Sequence, residues 1–210
     1  MPAIVPAITS FALLFSWAAI AQSSEAPERT QIASGFTASG CEALARLDSR
    51  CRFELVGALT RDKAEAFERF LARRANLYGF EFSVASTEGN VDAAMTFGTR
   101  LRERGATVNA HGDCGTACVL VLAGGAYRSA QQARVTIGHP YPDNASELGE
   151  DRAERYIERI NNPIATYLER MGIPGSLLAA MLAVPSGETR ILGAAELREY
   201  GLAGAATMQP

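Results

Sequence analysis

A threonine hydroxyl, an imidazole and two backbone N–H groups are the parts from which this chain could assemble acyl-transfer chemistry. Gly115-Thr116-Ala117 sets a hydroxyl at the start of an apolar segment. Glu88-Gly89-Asn90 puts a glycine just ahead of a helix-like segment, and His139 closes a strand-like run from Arg134 to Gly138. In layered α/β folds, sites gather at strand C-termini and at the helix N-termini that follow them. A hydroxyl in such a place, with N–H donors beside it and an imidazole nearby, suits nucleophilic attack on a carbonyl. Each part also has a purely structural reading. Thr116 is an acceptable helix N-cap, and His139 before Pro140 is an acceptable turn or core residue.

Two other chemistries share these residues. His111, Cys114, Cys118 and His139 are four potential zinc ligands, and they include both histidines of the chain. Their Cys-x₃-Cys spacing is looser than the usual Cys-x₂-Cys, and an oxidising compartment would pair the thiols, so no metal is expected. Cys114 or Cys118 beside His139 could also act as a thiol nucleophile, an idea that a disulfide between them would end.

Alternating strand-like and helix-like segments must position these groups. Ser23 to Gly40, rich in polar residues and turn formers, reads as a loose arm. Arg52 to Ala58 reads as a strand, and Thr60 opens a helix with Ala64, Phe67, Phe70, Leu71 and Leu77 along one stripe. Phe80 to Ala85 alternates as a strand, followed by a helix with Val91, Ala94, Met95 and Leu101 on one face that ends at Gly105. Ala106 to Ala110 is a short strand, and His111 to Gly115 reads as a tight loop. Thr116 to Ala123 reads as a buried helix stopped by Gly124-Gly125. After the strand leading to His139 come a polar helix over about Ser146–Met171 and a shorter one over Ser176–Ala183. A strand over Thr189–Leu192 and a helix over Ala194–Tyr200 complete the pattern. Such alternation predicts an α/β protein with a largely parallel sheet flanked by helices.

The composition is ordinary for a globular chain: 210 residues, 48% apolar, 20 basic against 23 acidic side chains and a formal charge of −3. That balance excludes a disordered or multi-span membrane chain and argues against a nucleic-acid partner, which calls for a basic face. The charge is unevenly placed, because every charged side chain lies from Glu25 onward. Phe11 to Ala21 is an apolar run too short to span a bilayer, and it ends in the small-x-small pattern Ala19-Ile20-Ala21. A cleavable signal peptide over 1–21 is therefore expected, cut near Ala21/Gln22, with export to the periplasm or beyond; an uncleaved anchor is the alternative. An arm over 22–50 and a domain over 51–205 complete the chain. The four cysteines suit export. Pairing as Cys41–Cys51 and Cys114–Cys118 is favoured, although four cysteines permit three connectivities.

Three segments, in order, resemble a known family. Val84 to Gly105 (VASTEGNVDAAMTFGTRLRERG) is similar to the oxyanion-loop segment of the Clp protease proteolytic subunit, where a strand ends in Ser-Pro-Gly-Gly before a helix with a buried Met. Cys114 to Pro140 (CGTACVLVLAGGAYRSAQQARVTIGHP) resembles that family's nucleophile helix, Ala-Gly turn and strand ending in the catalytic His. Ile191 to Leu202 (ILGAAELREYGL) is similar to its closing helix. The likeness runs from about Phe53 to Leu202. The Cys-x-[Ser/Thr]-Ala-Cys core behind an export signal resembles the periplasmic members of the Clp protease/crotonase-like superfamily. The resemblance implies that superfamily's single-domain fold, built of repeated β-β-α-type units.

Carried over residue by residue, the resemblance puts Thr116 in the nucleophile position, where the family has Ser, and His139 in the base position. The acid position falls on Thr189, which has no charge with which to orient an imidazolium. The oxyanion donors fall on the N–H groups of Gly89 and Ala117. The loop's proline and first glycine are replaced by Thr87 and Glu88, and a carboxylate at Glu88 could oppose an oxyanion close by. Asp143 or Glu188 could stand in as the acid. The resemblance thus implies a periplasmic peptidase-like or esterase-like hydrolase of weak activity, without cofactors. The alternative is a catalytically inactive binding or assembly protein on the same scaffold. A homo-oligomer and a peptide substrate are implied as well, while export argues against an ATP-driven unfoldase partner and against acyl-CoA chemistry.

Overall fold

Strand β3 (Arg52–Val56) and the strands after it are joined by helices in a simple repeating order. β3 leads through α1 (Arg61–Ala72) to β4 (Glu81–Ser86), then through α2 (Val91–Glu103) to β5 (Thr107–Cys114). From there α3 (Thr116–Ala123) leads to β6 (Tyr127–Ile137). The computed structural model describes residues 28–41, 51–140 and 150–205. The four strands lie side by side in chain order and pair in parallel. Consecutive right-handed crossovers that always step in the same direction stack their helices on one face of the sheet. The α/β architecture expected from the sequence is present, a mostly parallel sheet flanked by helices.

The sheet's edges are antiparallel. β1 (Arg29–Ala33) and β2 (Phe36–Ser39) form a hairpin whose second strand pairs with β3, placing Phe36 opposite Leu55 and Ala38 opposite Phe53. Over Arg29–Ser39 this corrects the reading of Ser23–Gly40 as a loose arm, whose first residues, 23–27, lie outside the described residues. Its polar residues hide a two-residue alternation, Phe36 and Ala38, that points into the core and is buried. On the far side β7 (Arg190–Ile191) pairs with the end of β6, and β8 (Gly204–Ala205) pairs with its start.

Two further boundaries differ from expectation. β5 runs on to Cys114 instead of turning at His111, and β6 begins at Tyr127 instead of Arg134. The two remain paired along this length through a bulge between Asn109 and His111, which the sequence alone does not mark. The polar helix is seen as α4 (Glu150–Arg170), and its expected start at Ser146 lies outside the described residues. α5 (Ser176–Leu182) and α6 (Ala194–Glu199) fall where expected.

The core explains the order. Seven of the nine phenylalanines, from Phe36 to Phe97, pack ring against ring between the sheet and helices α1 and α2, with centroids 4.8–6.3 Å apart. α3 carries no charged residue and every residue from Ala117 to Ala123 is buried, so it forms the central helix of the layer. The last turns of α4 cover it: Ile164, Tyr167 and Leu168 are buried, and the Tyr167 hydroxyl donates to the Leu120 carbonyl at 2.6 Å. Burial pushes the Tyr167 phenol far above its ordinary pKa.

One buried cation ties the helices to β6. The Arg128 guanidinium donates to the carbonyls of Gly125 (3.1 Å), Gly201 (2.6 Å) and Met171, which lie at the C-terminal ends of α3, α6 and α4. Carbonyls at helix C-termini carry partial negative charge and lack intrahelical donors, so a single guanidinium satisfies three ends at once. Burial lowers the Arg128 pKa to about 10, which leaves it charged at neutral pH.

Candidate functional site

β4 ends at Ser86, β5 at Cys114 and β6 at Ile137, and the residues just past these ends converge. Ser86 starts the first loop. Its hydroxyl donates to the Glu88 carbonyl at 2.6 Å, and that carbonyl also receives the Leu59 N–H at 3.1 Å. The Asn90 N–H returns to the Leu59 carbonyl at 2.8 Å, so Gly89 and Leu59 form a parallel bridge. No side chain fits at Gly89, because a Cβ there would lie 2.5 Å from Leu59 Cβ. Asn90 then caps α2, its side-chain oxygen accepting from the Ala93 N–H at 2.9 Å. Since the bridge uses the groups on either side of Gly89, the Gly89 N–H faces away from Leu59.

The second loop is fixed against the first. The Gly115 N–H donates to the Ser86 carbonyl at 2.7 Å, and a Cβ on Gly115 would lie 2.5 Å from the Thr87 carbonyl oxygen. Glycine permits this approach of two backbones and is the N-cap of α3. The Cys114–Cys118 disulfide, buried at both ends, closes a ring around Gly115, Thr116 and Ala117. The second disulfide, Cys41–Cys51, joins the end of β2 to the start of β3. Both pairings are those favoured from the sequence. They also remove the thiolates on which the zinc and thiol-nucleophile readings depended. His111, moreover, lines a different hollow, beside Glu54, Ser83 and Asn109.

The first N–H groups of a helix have no partner within it. Among the described residues, neither the Ala117 nor the Gly89 N–H donates a hydrogen bond to the protein. Both residues line one cleft of about 510 Å³, together with Thr116, His139 and Thr189. All five residues that the sequence pointed to as catalytic or oxyanion-binding thus meet at one place. Glu88 and Glu188 line the same cleft and are exposed, while Asp143 lies outside the described residues.

The hydrogen bonds of the cleft are not legible in residue types. Thr116 Oγ1 accepts from the Gly138 N–H at 3.0 Å and donates to the Gly138 carbonyl at 3.3 Å. The hydroxyl's one proton is therefore committed to backbone. His139 Nε2 lies 3.0 Å from the Leu182 carbonyl at the end of α5. A carbonyl can only accept, so Nε2 carries the hydrogen, and in the neutral ring Nδ1 is the basic nitrogen. Gly138 and Leu182 do not stand out in the sequence, because backbone groups leave no mark in residue type. Thr189 precedes β7, where the antiparallel register sets it beside Gly138; its methyl would lie 3.7 Å from a Cβ placed there.

β7 is held by its own contacts. Arg190 pairs with Glu196 of α6, whose other carboxylate oxygen accepts from the Gly193 N–H at 2.9 Å. The Arg190 hydrogen bond, then the Gly193 N–H, keeps the Glu196 carboxyl below its ordinary pKa. Near the opposite wall, the amine of Lys63 donates to the Ala58 carbonyl at 2.7 Å, and burial lowers its pKa.

The fold and the cleft together describe a mixed α/β protein in which two helix starts and two strand ends present N–H donors, a hydroxyl and an imidazole to one space. No family model matches the chain, and no curated protein matches it. Among solved structures, the chain is similar to a ClpP1 mutant from Listeria monocytogenes. That match has 18% sequence identity and a TM-score of 0.49, and covers 70% of this chain and 85% of that one.

Proposed function

We propose that the cleft is the active site of a Clp protease-like hydrolase that attacks a peptide or ester carbonyl with Thr116. The observation that carries this reading is the convergence of Gly89, Thr116, Ala117, His139 and Thr189 on one cleft, with both N–H donors unpartnered among the described residues. A substrate carbonyl oxygen would accept from the Gly89 and Ala117 N–H groups. Thr116 Oγ1 then forms a bond to the carbonyl carbon while its proton passes to His139, and the carbonyl π pair moves onto oxygen. Collapse expels the amine or alcohol, which takes the proton from His139. Water repeats the sequence on the acyl-enzyme and regenerates the hydroxyl.

The same geometry argues for a slow enzyme. Thr116 must first leave Gly138, and the ring of His139 is anchored to Leu182 through Nε2. Thr189 offers no charge to an imidazolium, and loss of the acid costs about four orders of magnitude in the serine protease triad. The double hold of Gly138 on the Thr116 hydroxyl favours a second reading, a binding protein that keeps the carbonyl-binding cleft without turnover.

The proposal includes export, with residues 1–21 as the leader, a single domain whose sheet takes in the β1–β2 hairpin as well as residues 51–205, and assembly as a homo-oligomer. Two disulfides support an oxidising compartment. Among the described residues no helix is long and apolar enough to cross a membrane. Hydrolysis of a p-nitrophenyl ester and of a fluorogenic peptide, by wild type and by Thr116→Ala, tests the chemistry. Turnover lost in Thr116→Ala supports the hydrolase, and equal turnover in both removes Thr116 as the nucleophile. Peptide binding without turnover selects the second reading.

A further inference from the structure

Among the described residues, the two charged side chains that line the cleft are both acidic: Glu88 stands on the loop after β4 and Glu188 on the loop before β7, and no lysine or arginine lines the space with them. Elsewhere seven carboxylates, among them Glu54, Glu81 and Asp92, have an arginine within 4.0 Å. Glu88 and Glu188 have none among the described residues, and both are exposed. Two uncompensated like charges on the walls of a concave site focus a negative potential into it. Glu88 is also adjacent to Gly89, where a negative charge works against an oxyanion accepting from that N–H.

We infer that the ligand of this cleft is a polypeptide segment carrying a lysine or arginine side chain next to the carbonyl that the Gly89 and Ala117 N–H groups receive. The inference rests on the hydrolase reading of the same cleft and names its substrate class. A cation placed between Glu88 and Glu188 neutralises the wall and removes the opposition to charge at the carbonyl oxygen. The site's departure from glycine at position 88 then becomes a determinant of specificity. A polypeptide is indicated over a small free cation because the cleft does not end at Glu188. Glu188 and Thr189 also line an adjoining hollow of about 440 Å³ whose other walls include Ala180, Ala183, Val184 and Arg190, the last held by Glu196. An extended chain can place its cation in the first space and a small apolar neighbour in the second.

The test is binding by the full chain carrying Thr116→Ala, monitored by fluorescence anisotropy of coumarin-labelled pentapeptides that differ only in a central Lys, Leu or Glu. Competition by lysine amide serves as the small-cation arm. The expected result is that the Lys peptide binds about threefold to tenfold more tightly than the Glu peptide at low salt, the scale of one or two exposed ion pairs. That margin should shrink as salt is added and vanish in the Glu88→Gln/Glu188→Gln variant. Equal affinities, a preference that survives the double variant, or no peptide binding would overturn the inference. Lysine amide competing as well as the Lys peptide would overturn its polypeptide part. A charge preference in binding with no hydrolysis by wild type would leave this inference standing and sink the hydrolase reading.

Discussion

Thr116 Oγ1 and the Gly138 backbone exchange two hydrogen bonds, accepting at 3.0 Å and donating at 3.3 Å, so the first residue of α3 is stitched to the end of β6. The hydroxyl therefore holds the cleft together as well as supplying the candidate nucleophile. Thr116→Val keeps the side-chain shape and strands both Gly138 groups, at a cost of about 1–2 kcal/mol in urea unfolding. Thr116→Ser should cost less, because the hydroxyl remains. Equal losses in the two variants would show that the methyl, not the hydrogen bonds, does the holding.

Gly89 has no room for a side chain beside Leu59. Gly89→Ala should destabilise the fold by about 1–3 kcal/mol, as overpacking does, and should displace the loop's N–H from the cleft. Thermal unfolding reports the first effect and peptide binding the second. A variant that melts like wild type would mean that the Leu59 contact relaxes freely.

Arg128 serves three helix ends and has no carboxylate partner among the described residues. Arg128→Met leaves the Gly125 and Gly201 carbonyls without this donor, while the Met171 carbonyl still accepts from Arg102 at 2.5 Å. A loss of at least about 2 kcal/mol is expected, since each unsatisfied buried group costs about 1–3 kcal/mol. Denaturant unfolding of the variant measures it directly.

The two disulfides close short loops, so each should contribute about 2–3 kcal/mol by chain entropy. Melting with and without reductant, on wild type and on a Cys114→Ala/Cys118→Ala variant, separates them. Reduction that leaves the melting temperature of wild type unchanged would contradict the pairing.

Glu196 supplies a pH dependence of known sign. Its folded pKa lies below the unfolded value of 4.5, first through Arg190 and then through the Gly193 N–H. Its contribution is therefore present above that pH and disappears as the pH falls through the lower, folded pKa. Glu196→Gln should flatten the acid limb of the stability curve and loosen β7, which carries Thr189 to Gly138.

The parts of this molecule that are readable in its sequence are those written in residue type. The apolar run from Thr116 to Ala123 could only be buried, and the glycines at 89 and 115 stand where two backbones must nearly touch. The stripe from Ala64 to Leu71 marks the core face of α1. What escapes reading depends on pairing across the fold. The hairpin of β1 and β2 joins the sheet through only two inward residues, Phe36 and Ala38. β5 and β6 are longer than their apolar alternation suggests, because a bulge carries their pairing past Asn109. Arg128 looks like a surface residue until three helix ends are seen around it. Within the cleft, residue types name Thr116 and His139, but their actual partners are the backbones of Gly138 and Leu182, which no residue type announces.

A fluorophosphonate probe applied to the full chain, with the adduct located by peptide mass spectrometry, tests the proposed site most directly. The proposed chemistry predicts slow, single-site labelling at Thr116, absent in Thr116→Ala and reduced in His139→Ala. Labelling that persists in Thr116→Ala, or no adduct at Thr116 in wild type under forcing exposure, would contradict it.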